Sequence, residues 1–385
     1  MIKEIATDAW VLYRGSTGVA AELKRENFSF PELTEHEILL EPIYGCWEGN
    51  MTHALERNPI DVCEQRQEEK VVIGNGGVLR ILRVGRRVTN LHEGDLGLYF
   101  FVGVADENGY MMKIAGYDAP KSIGMLAKQI KLHEKQFIPL PRATCYSLKQ
   151  WAAFCARYLT AWSNWRVAYG TWRLQMTEED MPVASVWGWG GGTTLAELQL
   201  AKHFGCDTFM IASKEQRLQL LQKMGIATID RRQFLALMFD ANLYKTNAQY
   251  REEYKNAETC FLSTVMHHTA GRGASIFIDN IGYPVFRATL KSLSRQGVVT
   301  TVGWKKGMDL QVIRAIECIY RHSHIFTHGT RYSESLKAVQ FAEETAWLPP
   351  DTNEVYSWDD VPQLANDYAQ EKTVSYFPLY QINPE

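Results

Sequence analysis

The stretch Val183-Ala-Ser-Val-Trp-Gly-Trp-Gly-Gly-Gly-Thr-Thr-Leu-Ala, residues 183–196, runs from an apolar strand through a glycine-rich turn into a helix. Backbone N–H groups in such a turn can approach a pyrophosphate at the positive end of the helix, because glycine has no Cβ to block the contact. Gly188, Gly191, Gly192 and Thr193 are therefore candidate cofactor-binding residues. Thr194 stands where the usual motif has its last glycine. A glycine string alone more often marks a loop, but a strand before it and a helix after it favour a nucleotide-binding turn.

Apolar strands and amphipathic helices alternate beyond this turn. A strand at 208–213 is followed by a helix at 214–224 and a strand at 227–230, and further strands are predicted at 275–279 and 297–303. Continuous apolar strands separated by helices predict a parallel sheet covered on both faces, which is the doubly wound arrangement.

The first hundred residues follow a different pattern. Short β-type segments at 37–41, 71–74, 78–84 and 96–102 are separated by turns that contain Gly, Asn and Asp, which predicts a curled, mainly antiparallel sheet. A helix is predicted from Ser147 to Trp172, and the stretch 374–380 is predicted to be a closing strand. Because 385 residues are too many for one ordinary compact core, we predict two domains.

Composition excludes several classes of protein. The apolar share is 46%, the charged share is 22% and the net charge is −3, so neither a nucleic-acid nor a membrane partner is implied. The first residues carry no secretory signal pattern, which leads us to expect a cytoplasmic location. The 7 cysteines are scattered and contain no C-x-x-C pair, so they are expected to be reduced.

The end of the second parallel strand bears on cofactor choice. A site that prefers NAD usually places an acidic residue there for the ribose 2′-hydroxyl, whereas this chain has Ala212-Ser-Lys-Glu-Gln-Arg. Ser213, Lys214 and Arg217 would suit a 2′-phosphate better. A solvated helix start explains any one of these residues equally well, but the missing acid favours NADP(H) over NAD.

Other segments follow the order found in medium-chain dehydrogenases/reductases, and the resemblance covers nearly the whole chain. The stretch 72–95 resembles the family's Gly-rich strand with its G-x-x-V-x-x-x-x-x-G-D continuation, and 124–130 with Pro139-Leu-Pro resembles the end of the catalytic domain's first part. The segments 277–282 and 298–304 resemble the strands beside the nicotinamide. The resemblance implies a GroES-like, mainly β catalytic domain at 1–150 and 330–385. It also implies a Rossmann NADP-binding domain at 151–329, with Thr160, Asn280 and Gly303 as further cofactor-binding residues.

The zinc ligands of this family are mostly missing. Its Gly-His-Glu is replaced by Gly74-Asn75-Gly76, Cys46 falls one position early, and 99–121 contains none of the cysteines of a structural-zinc lobe. We therefore predict no metal. The chain then resembles the zinc-free branches, which are quinone oxidoreductases and enoyl-thioester reductases such as crotonyl-CoA reductase/carboxylases.

Within that branch, the resemblance assigns candidate residues to the substrate. Asn50, in Gly45-Cys-Trp-Glu-Gly-Asn, matches an asparagine at the substrate carbonyl, and His328 matches a histidine near the nicotinamide. Both are candidate catalytic residues, with Tyr44 and Glu48 as substrate-binding candidates. A lone histidine is more often a structural partner than a catalytic group. The carboxylases' glutamate is replaced by Lys128, which argues against CO2 fixation.

The leading prediction is an NADPH-dependent reductase of an activated double bond, with an α,β-unsaturated CoA or acyl-carrier thioester as substrate. Alternatives are a zinc-free alcohol dehydrogenase or quinone oxidoreductase, and a non-catalytic binding or scaffolding homologue. A homodimer is expected from the resemblance. An insertion near 232–272 is longer than a single crossover helix, and we expect an added helix that covers the substrate, mediates dimer contact or binds a carrier domain.

Overall fold

The structure is a computed structural model and describes residues 3–303, 309–312, 314–326, 329–350 and 352–385. These residues form two compact units, unit 1 at 1–159 with 330–385 and unit 2 at 160–329. Neither unit contains, in the described ranges, a helix long and apolar enough to cross a membrane.

Unit 1 begins with a mainly β segment. Its elements are β1 (Glu4–Tyr13), β2 (Lys24–Pro31), β3 (Glu37–Cys46), α1 (Gly49–Glu56), α2 (Val62–Arg66), β4 (Lys70–Val71), β5 (Gly77–Val84), β6 (Leu96–Tyr99), β7 (Val102–Ala105), β8 (Met111–Ile114), β9 (Ile130–His133) and β10 (Phe137–Pro139). Helix α3 (Leu148–Arg173) follows. It is interrupted at Cys155, where ψ is −136°, and crosses the boundary between the units.

Unit 2 alternates strands and helices as the sequence predicts. Its elements are β11 (Ser185–Trp189), α4 (Gly192–His203), β12 (Asp207–Ala212), α5 (Glu215–Lys223), β13 (Ala227–Asp230), α6 (Ala241–Thr246), α7 (Ala248–His268), β14 (Ala274–Asp279), α8 (Tyr283–Ser292), β15 (Leu293–Thr300), a π-helix (Arg314–Tyr320) and β16 (His324–Phe326). The chain then returns to unit 1 with α9 (Tyr332–Thr345), β17 (Val355–Tyr356), α10 (Val361–Ala369) and β18 (Leu379–Gln381).

The sheet of unit 2 has the order β13-β12-β11-β14-β15-β16, and neighbouring strands run parallel. The chain moves from β11 outward to β13 and then returns to β14 on the other side of β11. This reversal creates a topological switch point, where open α/β sheets bind ligands beyond the carboxyl ends of their strands. The glycine-rich turn lies at that point.

The largest sheet of unit 1 has the order β10-β6-β5-β3-β18-β17 and is mainly antiparallel. Strand β18 pairs with β3 so that Tyr380 lies opposite Gly45. The predicted combination of a mainly β unit with a doubly wound α/β unit is therefore confirmed. The prediction of a closing strand at 374–380 was wrong about where the strand begins, which is at Leu379. The residue before it, Pro378, has no N–H to donate to a neighbouring strand.

The insertion contributes to the core of unit 2. Helix α7 buries Tyr254, Phe261 and Val265. The Phe261 ring stacks on Trp189 at 4.9 Å, directly before the glycine-rich turn, and Trp189 also contacts Phe277. An added helix was expected here, and its buried face packs against the strands of its own unit.

Candidate functional site

The glycine-rich turn of unit 2 is shaped around Thr194. A Cβ added to Gly188 would lie 2.6 Å from Thr194 Cγ2, and one added to Gly190 would lie 2.3 Å from Thr194 Oγ1. Gly190 has a φ of +149°, which side chains rarely adopt. A Cβ on Gly191, in contrast, would meet nothing within 4 Å. Gly188 and Gly190 thus make room for the threonine, and the open approach that a pyrophosphate needs is at Gly191.

The turn is joined to the end of β14 through Asn280. The Asn280 amide nitrogen donates to Thr194 Oγ1 over 2.9 Å, and its Oδ1 accepts from the N–H groups of Val302 and Gly303 at 3.0 and 3.2 Å. Asn280 is buried. This network brings the candidates Asn280 and Gly303 together with the glycine-rich turn that contains Gly188, Gly191, Gly192 and Thr193. Gly190 and the Thr194 hydroxyl were not assigned to the site from the sequence, although the threonine in place of the last glycine was noted there.

Helix α4 begins at Gly192, with Gly191 as its N-cap, and no side chain caps it. The first N–H groups of a helix have no intrahelical partner and carry partial positive charge, so they bind anions readily. No acidic residue stands in the first turn of α4. This helix end is therefore suited to hold a pyrophosphate.

The three candidates for the 2′-phosphate lie at the carboxyl end of β12. Ser213 is exposed, and Lys214, which is the N-cap of α5, is half-buried with Arg217. The nearby acid, Glu215, lies 3.7 Å from Arg232, which also binds Asp230. The end of this strand therefore offers two cations and a hydroxyl. Thr160 lies in α3 at the start of unit 2 and is half-buried.

A second polar cluster lies in unit 1, where β3 leads into α1. Arg157 is buried, donates to Cys46 Sγ at 2.8 Å and to the Trp47 carbonyl at 2.6 Å, and lies 3.2 Å from Glu48 Oε2. Burial raises the pKa of the Glu48 carboxyl, and the Arg157 charge offsets part of this shift. Burial also raises the pKa of the Cys46 thiol. Arg157 thus contacts three consecutive residues, Cys46, Trp47 and Glu48. It was not among the site residues predicted from the sequence.

The cluster does not fit a zinc ion. Zinc needs three or four thiolate, imidazole or carboxylate ligands, yet the Cys46 thiol is bound to a guanidinium and Asn75 offers only an amide. Across the described ranges, no group of three or more His, Cys, Asp and Glu residues could hold a metal ion. We therefore derive no step through a metal.

The remaining unit 1 candidates differ in their surroundings. The Asn50 side chain makes no hydrogen bond within the described residues, and its Oδ1 is buried. Tyr44 donates to Glu385 Oε1 over 2.8 Å, and burial together with this carboxylate raises the pKa of Tyr44 to about 12. Glu48 is held by Arg157. His328 lies outside the described residues.

Comparison with known proteins agrees with this fold. Residues 192–344 match the family model described as zinc-binding dehydrogenase. None of the curated proteins matches the chain.

Three solved structures illustrate the likeness. The crotonyl-CoA carboxylase/reductase AntE in complex with NADP is 18% identical with a TM-score of 0.78, covering 98% of this chain and 95% of its own. The 2-octenoyl-CoA carboxylase reductase CinF, in complex with NADP and 2-octenoyl-CoA, is 17% identical with a TM-score of 0.79, over 99% and 88%. A thermostable alcohol dehydrogenase from Pyrobaculum aerophilum is 15% identical with a TM-score of 0.72, over 98% and 100%.

The family-model match covers most of unit 2 and the first residues of the returning part of unit 1, and the fold of the whole chain is that of these solved reductase and dehydrogenase structures. The side chains of the unit 1 cluster nevertheless do not suit the zinc ion that the description of the matching family names.

Proposed function

We propose that this protein is an NADPH-dependent reductase of an activated carbon–carbon double bond, with an α,β-unsaturated CoA or carrier thioester as its substrate. The observation that carries the proposal is the open glycine-rich turn at the start of α4, tied to the end of β14 by Asn280. The structural neighbours described as NADP complexes include one with 2-octenoyl-CoA, which supports this substrate class.

The proposed cofactor would be held by the N-terminus of α4 and by the cations after β12. Lys214 and Arg217 would bind the 2′-phosphate, and Glu215, which lies beside Arg232, would not oppose it. When bound, NADPH supplies the hydride. The protein's own task is to orient the substrate, exclude water and stabilise negative charge on the carbonyl oxygen.

Asn50 is suited to the carbonyl. Asn50 is half-buried, and a buried acceptor without a hydrogen bond costs free energy, so the unpaired Oδ1 of Asn50 favours a ligand or water that donates to it. The side-chain N–H of Asn50 can donate to a thioester oxygen and stabilise the charge that develops there. Tyr44 and Glu48 already have partners, and they would act by keeping this junction in place. His328 stays a prediction, as do the carrier and the homodimer.

The first test is a fluorescence titration of the purified protein with NADPH and NADH. We expect micromolar binding of NADPH and weaker binding of NADH. If neither binds at millimolar concentration, the non-catalytic alternative is favoured and the proposal fails.

The second test compares NADPH oxidation with crotonyl-CoA and with 1,4-benzoquinone. Faster turnover with the quinone would favour the quinone oxidoreductase alternative. Asn50→Ala should lower kcat with crotonyl-CoA by about 100- to 1,000-fold, as the loss of one charge-stabilising donor does, while the Kd of NADPH stays unchanged. An Asn50→Ala enzyme with full kcat would refute the assigned role.

A further inference from the structure

Unit 2 contains a cavity of about 480 Å³ on the outer side of α8, a volume within the usual range for small-molecule sites. It lies between α8, the inserted segment that includes α7, and the π-helix. Its apolar lining consists of Phe239, Leu262, Tyr283, Phe286, Leu290 and Ile316.

Five residues of α8 line the cavity, the three apolar ones together with Arg287 and Lys291. They recur at positions i, i+3, i+4, i+7 and i+8. They form one face of the helix. Another part of α8 faces the sheet, where Thr289 Oγ1 donates to Asp279 Oδ2 over 2.6 Å. None of the cofactor candidates lines the cavity. The cavity is therefore separate from the glycine-rich turn.

The charged side chains of the lining differ in their partners. Glu317 is 5% exposed, and its Oε2 has no hydrogen-bond partner in the part of the chain that is described. The nearest cationic nitrogen among the described residues, Arg321 Nη1, is 3.8 Å from this oxygen. Arg287 stacks on Phe239 and Tyr244 at 5.0 and 5.1 Å, and its Nε lies 3.7 Å from Glu258. The cavity therefore offers an unsatisfied buried acceptor beside a largely apolar surface.

The charges restrict what can bind. Arg287, Lys291 and Arg321 all line the cavity and disfavour a cationic ligand, although Glu317 alone would attract one. An anion would gain little from Arg287 and Lys291, because both already pair with Glu258, and it would face Glu317 itself. A neutral N–H or O–H group satisfies the acceptor without either repulsion.

We infer that this cavity is a second binding site, separate from the nucleotide site, for an uncharged and mostly apolar molecule that donates one hydrogen bond to Glu317. Such a ligand would contact the inserted helix α7 through Leu262, so the insertion would contribute one wall of the site.

N-phenyl-1-naphthylamine is a suitable probe, because it is uncharged and apolar and has a single N–H that can donate. Its fluorescence should rise on binding to the wild-type protein. The analogue 1-benzylnaphthalene, which has a methylene in place of the N–H, should bind about tenfold more weakly when measured by displacement, as expected for the loss of one hydrogen bond to a carboxylate. Glu317→Leu should remove this difference.

Two variants fill the cavity. Leu262→Trp and Ile316→Trp should each weaken both compounds by at least about tenfold, whereas Leu235→Trp, at an exposed position outside the cavity, serves as the control. Circular dichroism checks that each variant is folded. Saturating NADPH should not displace the probe.

The inference is overturned if the wild-type protein does not bind the probe, if it binds both compounds equally, or if the folded cavity variants retain full affinity. Displacement by NADPH would also overturn it, because the probe would then be in the nucleotide site. A protein that binds the probe but not NADPH would refute the proposed function and leave this site intact.

Discussion

The side-chain amide of Asn280 donates to the hydroxyl of Thr194 over 2.9 Å and so joins the end of β14 to the first turn of α4. Thr194 stands where a glycine usually allows the helix to pack closely on the strand. Here the space left by Gly188 and Gly190 accommodates the threonine, and the hydroxyl gains a partner that a glycine would not provide. The replaced glycine is therefore compatible with an ordered turn.

Asn280→Leu should weaken NADPH binding by about tenfold and lower the free energy of unfolding by about 2 kcal/mol, since it removes the bonds to Thr194, Val302 and Gly303. Thr194→Val should have a smaller effect because it removes two bonds, the one from Asn280 and the one that the hydroxyl donates to the Trp189 carbonyl, and leaves those to Val302 and Gly303. Fluorescence titration and denaturant unfolding measure the two quantities, with Asn108→Ala in an exposed loop as the control. A destabilised Asn280→Leu protein with unchanged NADPH affinity would mean that the network is purely structural.

Lys214→Ala and Arg217→Ala should each weaken NADPH binding by about tenfold, because each cation would lose a charge-assisted contact with the 2′-phosphate. NADH has no 2′-phosphate, so its affinity should change little. Parallel titrations with both cofactors give the preference, and Lys223→Ala in the last turn of the same helix is the control. Equal losses for both cofactors would refute the assignment of these residues to the 2′-phosphate.

Whether a feature of this protein could be predicted from its sequence depends on how far apart in the chain the residues that form it lie. The strand at 275–279 was predicted nearly to its observed bounds of Ala274–Asp279, because a buried parallel strand is a continuous apolar run. The role of Arg157 could not be predicted. It is one of three arginines in α3, and its partner Cys46 lies 111 residues away. Only the folded chain brings the two together.

Arg157→Met should be strongly destabilising, by about 3–5 kcal/mol, because it leaves the Glu48 carboxylate buried without its partner. Adding Glu48→Gln to this variant should recover part of the loss, since a neutral amide costs less to bury. Urea unfolding measures both, and Arg142→Met removes an exposed arginine for comparison. If the double variant is no more stable than Arg157→Met, the cost does not come from an uncompensated charge.

Metal analysis of the purified protein should find well below one zinc per chain, because the Cys46 thiol is bound to Arg157 and Asn75 is an amide. Adding zinc to the apoprotein should leave NADPH oxidation unchanged. One firmly bound zinc per chain that survives dialysis against a chelator would contradict this account of the cluster.

Glu197 makes stability depend on pH. Its side chain is fully buried in α4, and burial raises its pKa well above the ordinary 4.5, while the neighbouring Asn164 side chain offsets part of the shift. Below about pH 4.5 the carboxyl is protonated in both the folded and the unfolded chain. As the pH rises above that value, the unfolded chain loses this proton and the folded chain keeps it, so stability falls with pH until the folded pKa is passed.

Glu197→Gln removes the titrating group and should therefore gain stability relative to the wild-type protein between pH 5 and 7. Urea unfolding at several pH values measures this, with the exposed Glu252→Gln as control. A difference between Glu197→Gln and wild type that does not change with pH would show that the carboxyl is ionised in the folded protein.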